Sequence, residues 1–161
     1  MYAAEFDYVR ASSIEEAISL KGANDDSSLL AGGHSLIPAM KLRLSTPQKL
    51  IDISGLDQLK NISNDGSYIS IGALCTHKQC AESDIIQSNC PALSDAAAVI
   101  GDPHVRNKGT LGGALAHSDP QADYPGVVLA LDATIVAQGS DGERTIAASD
   151  YFTGLWETAL G

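Results

Sequence analysis

Two glycine-containing segments decide the fold of this chain: AGGHS at residues 31–35 and GTLGGA at residues 109–114. Glycine adopts positive φ angles and lets backbone amides approach a ligand closely, so paired glycines suit the binding of a diphosphate. Neither segment matches the G-x-G-x-x-G fingerprint or the P-loop, which needs Lys followed by Ser or Thr. One Gly-Gly pair is more often a tight turn than a ligand loop, whereas two pairs with polar neighbours favour an anion site.

The composition excludes several classes of partner. The chain has 161 residues, 44% hydrophobic and 19% charged, as expected of a folded globular protein. Its net charge of -10 repels nucleic acid and anionic membrane surfaces. No apolar run approaches the roughly 20 residues that span a bilayer, and the N-terminus lacks a basic-then-apolar signal pattern. We therefore expect no nucleic-acid partner, no membrane span and a cytoplasmic location.

The three cysteines, Cys75, Cys80 and Cys90, are an odd number, which favours reduced thiols over a disulfide framework. Cys75 and Cys80 flank His77, but they lack C-x-x-C spacing and an evident fourth ligand. We predict small buried thiols and no metal site.

The first part of the chain alternates strands and helices. Two Ser–Glu pairs, Ser12 with Glu15 and Ser13 with Glu16, are typical of a helix start. Apolar periodicity predicts strands at residues 5–10, 28–31 and 49–53, with helices at residues 13–21 and from residue 36. We predict that residues 1–56 form one α/β subdomain, with the first glycine segment opening toward a helix.

Residues 57–161 form a predicted second subdomain. The pattern predicts hairpins at residues 58–71 and 133–147, and helices at residues 76–88, 91–100, 122–131 and 151–160. The second glycine segment is interpreted as a loop. We expect the two subdomains to pack with their glycine segments facing a shared cleft.

Two longer strings carry a resemblance to a known family. AGGHSLIPAMKLRL, followed by IGDPHVRNKGTLGGALAHSDPQADYPGVVLALDA, resembles the flavoprotein (medium) subunit of the molybdenum hydroxylases, of the carbon monoxide dehydrogenase type. The resemblance implies a two-subdomain α+β FAD-binding fold, shared with vanillyl-alcohol oxidase and UDP-N-acetylenolpyruvoylglucosamine reductase. Members of the family continue into a C-terminal domain, so the resemblance implies that this chain ends before that domain.

The resemblance also implies which residues bind FAD. Backbone amides and the Ser hydroxyl of the first segment would hold the pyrophosphate, and the second segment would lie on the other side of the cofactor. The implied cofactor-binding residues are Ala31, Gly32, Gly33, His34, Ser35, Thr110, Leu111, Gly112, Gly113, Ala114 and Asp123. Family members often have Ser or Asn where Ala114 stands, so that side-chain hydrogen bond is lost or replaced here.

Asp123 needs a separate argument, because a bare carboxylate beside a diphosphate is repulsive. It would face a ribose or ribityl hydroxyl, a helix N-terminus or a cation such as Arg106, or it would be the N-cap of the following helix.

The other polar side chains near the glycine segments are not expected to be catalytic or metal-binding. His34, His104 and His117 lie in or near these segments, yet electron transfer needs no acid–base residue from this subunit. Asp102 and Asp119, together with Asp123, imitate a carboxylate cluster, but Pro103 and Pro120 indicate turns, so we predict no metal there and no catalytic residue in this chain.

The function implied by the resemblance is electron relay. A molybdopterin-containing large subunit would hydroxylate the substrate, a small subunit with [2Fe–2S] clusters would pass the electrons on, and FAD held by this chain would deliver them to a quinone, NAD or oxygen. The alternative is a non-catalytic assembly module of the same fold that binds no flavin. A stand-alone flavin oxidase or reductase would need a substrate base, for which there is no convincing candidate.

Overall fold

The computed structural model describes residues 2–160, which alternate short strands with helices. The strands are β1 (Asp7–Arg10), β2 (Ser27–Leu30), β3 (Lys49–Asp52), β4 (Ile62–Asn64), β5 (Ile69–Ile71), β6 (Thr134–Gly139), β7 (Gly142–Ala147), β8 (Phe152–Gly154) and β9 (Glu157–Thr158). The helices are α1 (Ile14–Gly22), α2 (Leu36–Lys41), α3 (His77–Glu82), α4 (Asp84–Asn89), α5 (Pro91–Val99), α6 (Pro103–Arg106), α7 (Leu111–His117), α8 (Asp123–Ala130) and α9 (Ala148–Tyr151), with a 3-10 turn at Asp57–Leu59.

The first three strands form a parallel sheet in the order β1-β3-β2. Leu50 in the central strand pairs with Tyr8 on one side and Ser28 on the other. Helix α1 covers this sheet, and Ala17 packs with Ile51 in a small apolar cluster. Because parallel strands all end at the same edge, the segment that follows β2 emerges at the edge where open α/β sheets bind ligands.

The predicted start of α1 is confirmed. The Ser13 hydroxyl accepts a hydrogen bond from the Glu16 amide, and the Glu16 carboxylate accepts one from the Ser12 amide at 2.7 Å. These bonds satisfy amides that have no partner within the helix.

The remaining sheets are antiparallel hairpins, β4–β5, β6–β7 and β8–β9, which surround a helical core. The core is centred on side chains from α3, α4, α5, α8 and α9, including Cys80, Ile86, Ala97, Tyr124 and Tyr151. Cys75 and Cys80 are free buried thiols and Cys90 is a half-buried one, which agrees with their predicted role. Within residues 2–160, no helix has the length and apolar content needed to span a bilayer.

Two predicted elements of the second half were misplaced. Residues 58 and 59 of the strand predicted at 58–62 belong instead to the 3-10 turn, which the ion pair of Lys60 with Asp57 closes at 2.8 Å, and the hairpin strand begins only at Ile62. The helix predicted at residues 76–88 is broken at Ser83, whose hydroxyl accepts a hydrogen bond from the Ile86 amide and so caps a second helix.

The helix predicted at residues 151–160 was wrong. Helix α9 ends at Tyr151, and β8 and β9 follow as a hairpin in which Trp156 has a φ of 55°. Tyr151 is fully buried, its carbonyl accepts a hydrogen bond from the Ala159 amide, and the Arg144 guanidinium donates to Ala159 O at 2.6 Å. These long-range contacts fold the segment back on itself. The division at residue 56 stays a prediction.

Candidate functional site

The first glycine segment connects β2 to α2 by a turn that requires glycine. Gly33 has a φ of 74°, in the left-handed region where a Cβ costs about 1–2 kcal/mol. The Ile37 amide donates to Gly33 O at 3.0 Å, and this bond leads the chain into α2. The segment is therefore a tight turn, as a lone Gly-Gly pair would suggest. Its unpaired backbone amides also make it suited to binding an anion.

Four consecutive amides of this turn are free. Among the described residues, the amides of Gly32, Gly33, His34 and Ser35 have no acceptor. Ser35 is the N-cap of α2, yet its hydroxyl makes no capping bond, and both it and His34 are exposed. Unpaired backbone donors are strong hydrogen-bonding groups that water or a ligand must satisfy, so the turn presents a row of donors suited to an anion.

The second glycine segment is not a loop, and this part of the prediction was wrong. Thr110 is the N-cap of α7, and its hydroxyl accepts a hydrogen bond from the Gly113 amide at 3.1 Å. Helix α7 then contains Leu111, Gly112, Gly113 and Ala114. The segment reads as a loop in the sequence because glycine is a poor helix former, and the capping bond of Thr110 outweighs that preference.

Most amides of this second segment are already paired within the protein. Leu111 donates to Cys75 O and Gly112 to Ala73 O, both at 2.9 Å, while Ala114 donates to Thr110 O. A Cβ on Gly112 would lie 2.5 Å from the Ala73 Cβ, so close packing explains this glycine without a ligand. The backbone of Leu111 to Ala114 is thus a rigid wall rather than a set of free donors.

The two segments nevertheless meet. A Cβ on Gly32 would lie 1.9 Å from Lys108 O and 2.9 Å from the Gly109 Cα, and one on Gly113 would lie 3.9 Å from the Ala31 Cβ. Only a glycine allows this approach of one backbone to the other. The free donors of the first turn therefore lie beside the N-terminal end of α7.

Asp123 is the first residue of α8 and is exposed. The N-cap is Ala122, so the N-cap alternative for Asp123 was wrong. The Arg106 guanidinium donates to Ile100 O and Gly101 O at 3.1 Å and is thus engaged with the backbone of its own loop. The exposed Asp123 carboxylate remains available to a hydroxyl group.

Three histidines near the glycine segments were predicted to have no catalytic role. His104 and His117 are exposed, and the His34 Nδ1 lies 3.3 Å from Gly32 O. His77, weighed from the sequence only as a metal ligand, is buried beside the second segment, where its amide donates to Gly109 O at 3.0 Å. Within residues 2–160, no group of three His, Cys, Asp or Glu side chains could hold a metal ion.

The chain is similar to known proteins over nearly its whole length. Residues 4–161 match the family described as the FAD binding domain in molybdopterin dehydrogenase. The chain is 43% identical to the carbon monoxide dehydrogenase medium chain of Hydrogenophaga pseudoflava, over 96% of this chain and 54% of the relative. It is 42% identical to the glyceraldehyde dehydrogenase medium chain of Sulfolobus acidocaldarius, over 98% of this chain and 56% of the relative.

The fold is similar to that of a solved carbon monoxide dehydrogenase from Hydrogenophaga pseudoflava, with a TM-score of 0.98 and 42% identity. That match covers all of this chain and 56% of the other. The chain thus spans about half the length of the relatives it matches. These similarities confirm the family and the FAD-binding fold that the resemblance implied.

Proposed function

Since the chain belongs to the family of FAD-binding domains of molybdopterin dehydrogenases, we propose that it holds FAD as the electron-transfer flavin of a molybdenum hydroxylase. The observation that carries the proposal is the row of four free amides at Gly32 to Ser35, fixed by the positive φ of Gly33. Such a row suits the two phosphates of a dinucleotide cofactor, because it supplies several donors without any cation.

The first glycine segment supplies the direct contacts in this proposal. Amides of Gly32 to Ser35 and the uncapped Ser35 hydroxyl donate to the pyrophosphate, with Ala31 and His34 flanking them. Asp123 accepts from a ribose or ribityl hydroxyl, which avoids placing its carboxylate against the phosphates.

The second segment acts by shape. Thr110, Leu111, Gly112, Gly113 and Ala114 form the opposite wall, because most of their amides are already paired within the protein. Under this proposal, residues 1–56 supply the donors and residues 57–161 supply the wall, which is the division predicted from the sequence.

FAD, when bound, supplies one- and two-electron redox chemistry. The chain's own task is to orient the cofactor and to surround it with fixed hydrogen-bond donors, and it needs no acid–base residue for that task. Relatives are medium chains of dehydrogenases, so we propose a molybdopterin-containing large subunit and a [2Fe–2S] small subunit as partners, an external electron acceptor, and a cytoplasmic location.

The test is a titration of the purified 161-residue chain with FAD, followed by flavin absorbance and fluorescence. We expect saturable binding with quenched fluorescence. Gly33→Asp should weaken binding at least tenfold, because it adds a negative charge and a Cβ at a position with φ 74°. A wild-type chain with no affinity for FAD would refute the proposal and favour the assembly module.

Gly66→Asp is the matched control. Gly66 also has a positive φ, of 91°, and a Cβ there would meet nothing within 4 Å. It lies in the exposed turn of the β4–β5 hairpin, so it introduces the same charge and a comparable backbone strain away from the two segments. Equal losses in the two variants would show that strain, and not contact with FAD, explains the effect.

A further inference from the structure

His77 is a buried polar side chain to which the proposed FAD site gives no role. It is 4% exposed and is the first residue of α3. The start of that helix is fixed by a capping box, in which Thr76 and Gln79 each bond the other's backbone amide. The capping box therefore fixes the backbone from which the imidazole projects.

His77 lies against Gly109 of the second segment. The backbone amide of His77 donates to Gly109 O at 3.0 Å, and the His77 Nε2 lies 2.5 Å from the place that a Cβ on Gly109 would occupy. The Gly109 Cα in turn lies 2.9 Å from the Cβ position of Gly32. The imidazole is therefore packed close to Gly109, and Gly109 is packed close to Gly32 of the first glycine segment.

The other side of the ring reaches α8. The His77 Nδ1 lies 3.2 Å from the Tyr124 hydroxyl, and the two ring centroids are 5.3 Å apart. Tyr124 is 1% exposed and directly follows Asp123. A displacement of the imidazole would therefore shift both Gly109 and the start of α8.

Burial keeps the His77 ring neutral. Burial, the largest cause, lowers the pKa of His77, the nearby His34 lowers it further and Asp123 raises it, with a result of about 4. Tyr124, which contacts the ring from α8, and Cys80, which interacts with Tyr124 from α3, are themselves held neutral because burial raises the pKa of both. A neutral imidazole offers one donor and one acceptor but no positive charge for a phosphate.

We propose that His77 is a positioning residue of the FAD site, whose imidazole fixes the spacing between Gly109 and the Asp123–Tyr124 pair. The inference rests on the proposed function, since it concerns how that site is held in shape. His77 does not touch the cofactor in this proposal. It acts through Gly109 of the second glycine segment and through the start of α8 at Asp123.

The test compares FAD affinity in three variants of the 161-residue chain. His77→Phe keeps an aromatic ring without the nitrogens and should weaken FAD binding about tenfold or more. Tyr124→Phe removes only the hydroxyl that meets the His77 Nδ1, and it should weaken FAD binding about threefold. This milder change tests the same hydrogen bond if His77→Phe does not fold. His77→Asn keeps a polar atom near the Nδ1 position and should restore binding to within about threefold of wild type.

Ile86→Val and Ile86→Ala are the controls for stability, because Ile86 is fully buried in the same core on α4. Their melting temperatures show which Ile86 variant matches His77→Phe in stability. The FAD affinity of that variant then gives the loss that destabilisation alone produces. The proposal is overturned if His77→Phe binds FAD as tightly as the Ile86 variant of equal stability, or if His77→Asn gives no rescue. A wild-type chain without FAD affinity would overturn the proposed function as well.

A second readout does not depend on FAD. Amide hydrogen exchange of Leu111, which donates to Cys75 O beside Gly109, should accelerate about tenfold in His77→Phe and stay unchanged in the Ile86 variant of equal stability. Unchanged exchange in His77→Phe would refute the positioning role.

Discussion

Replacing Gly32 by alanine tests the contact between the two glycine segments. The added Cβ would lie 1.9 Å from Lys108 O, about 1.1 Å short of the 3.0 Å below which real Cβ contacts do not occur. Both the site of substitution and the obstacle are backbone, so no side-chain rotation relieves the overlap. Overpacking of this kind costs typically 1–3 kcal/mol, and we place Gly32→Ala at the upper end, about 3 kcal/mol.

The expected result follows from that cost. For a chain of this length, 3 kcal/mol lowers the melting temperature by about 6–12 °C. The two segments must also separate by about 1 Å, so we expect FAD affinity to fall at least tenfold, which corresponds to about 1.4 kcal/mol of binding free energy. Both quantities come from one thermal-melting and FAD-titration series on the purified variant.

Gly22→Ala is the control, because Gly22 ends helix α1 and a Cβ there meets nothing within 4 Å. We expect this control to keep the wild-type FAD affinity and to melt at or slightly above the wild-type temperature. If Gly32→Ala melts within 2 °C of wild type and binds FAD equally well, the contact with Lys108 has no energetic importance and the reasoning is refuted.

Three further predictions concern stability. Thr110→Ala removes the hydroxyl that caps the Gly113 amide and should cost about 1 kcal/mol in urea unfolding; no cost would show that the cap is replaced by solvent. Arg43→Gly should stabilise the chain by up to about 1 kcal/mol, because Arg43 follows the C-cap of α2 with a φ of 59°, a position that favours glycine; a destabilised variant would contradict this. Because the folded pKa of His77 is lowered to about 4, the unfolded state binds its proton first as pH falls below 6.5. Stability should therefore drop by up to about 3 kcal/mol between pH 6.5 and pH 4, with a flatter pH profile in His77→Phe; equal slopes would refute the assignment.

The local signals in the sequence predicted much of the fold. The Ser13–Glu16 pair marks the start of α1, Pro125 lies in the first turn of α8, and the turn at residues 139–142 joins β6 to β7. The family and its FAD-binding class were also predictable, because two long strings agreed in order and spacing, and both are confirmed.

The errors have a common physical origin in contacts between distant residues. Gly112 and Gly113 read as a loop, yet the amide of Gly112 pairs with Ala73 and a cap at Thr110 makes the segment helical. The C-terminal segment reads as a helix, yet Arg144 fixes it as a hairpin by donating to Ala159 O.

Parts of the candidate site were hidden for the same reason. The approach of Gly32 to Lys108 and the burial of His77 are tertiary properties that no local pattern in this sequence indicates. The roles of individual residues toward FAD stay predictions.

The contact of Gly32 with Lys108 also bears on the order of folding. It joins positions about 76 residues apart, and closing a loop of that length costs roughly 4 kcal/mol in chain entropy, whereas the parallel sheet is complete within residues 7–52. During synthesis the sheet can therefore form before Lys108 leaves the ribosome. The free amides of the first turn are then in place before the second glycine segment packs beside them. We expect the cofactor to bind only after Lys108 has joined the first turn, and its binding to slow unfolding more than it speeds folding.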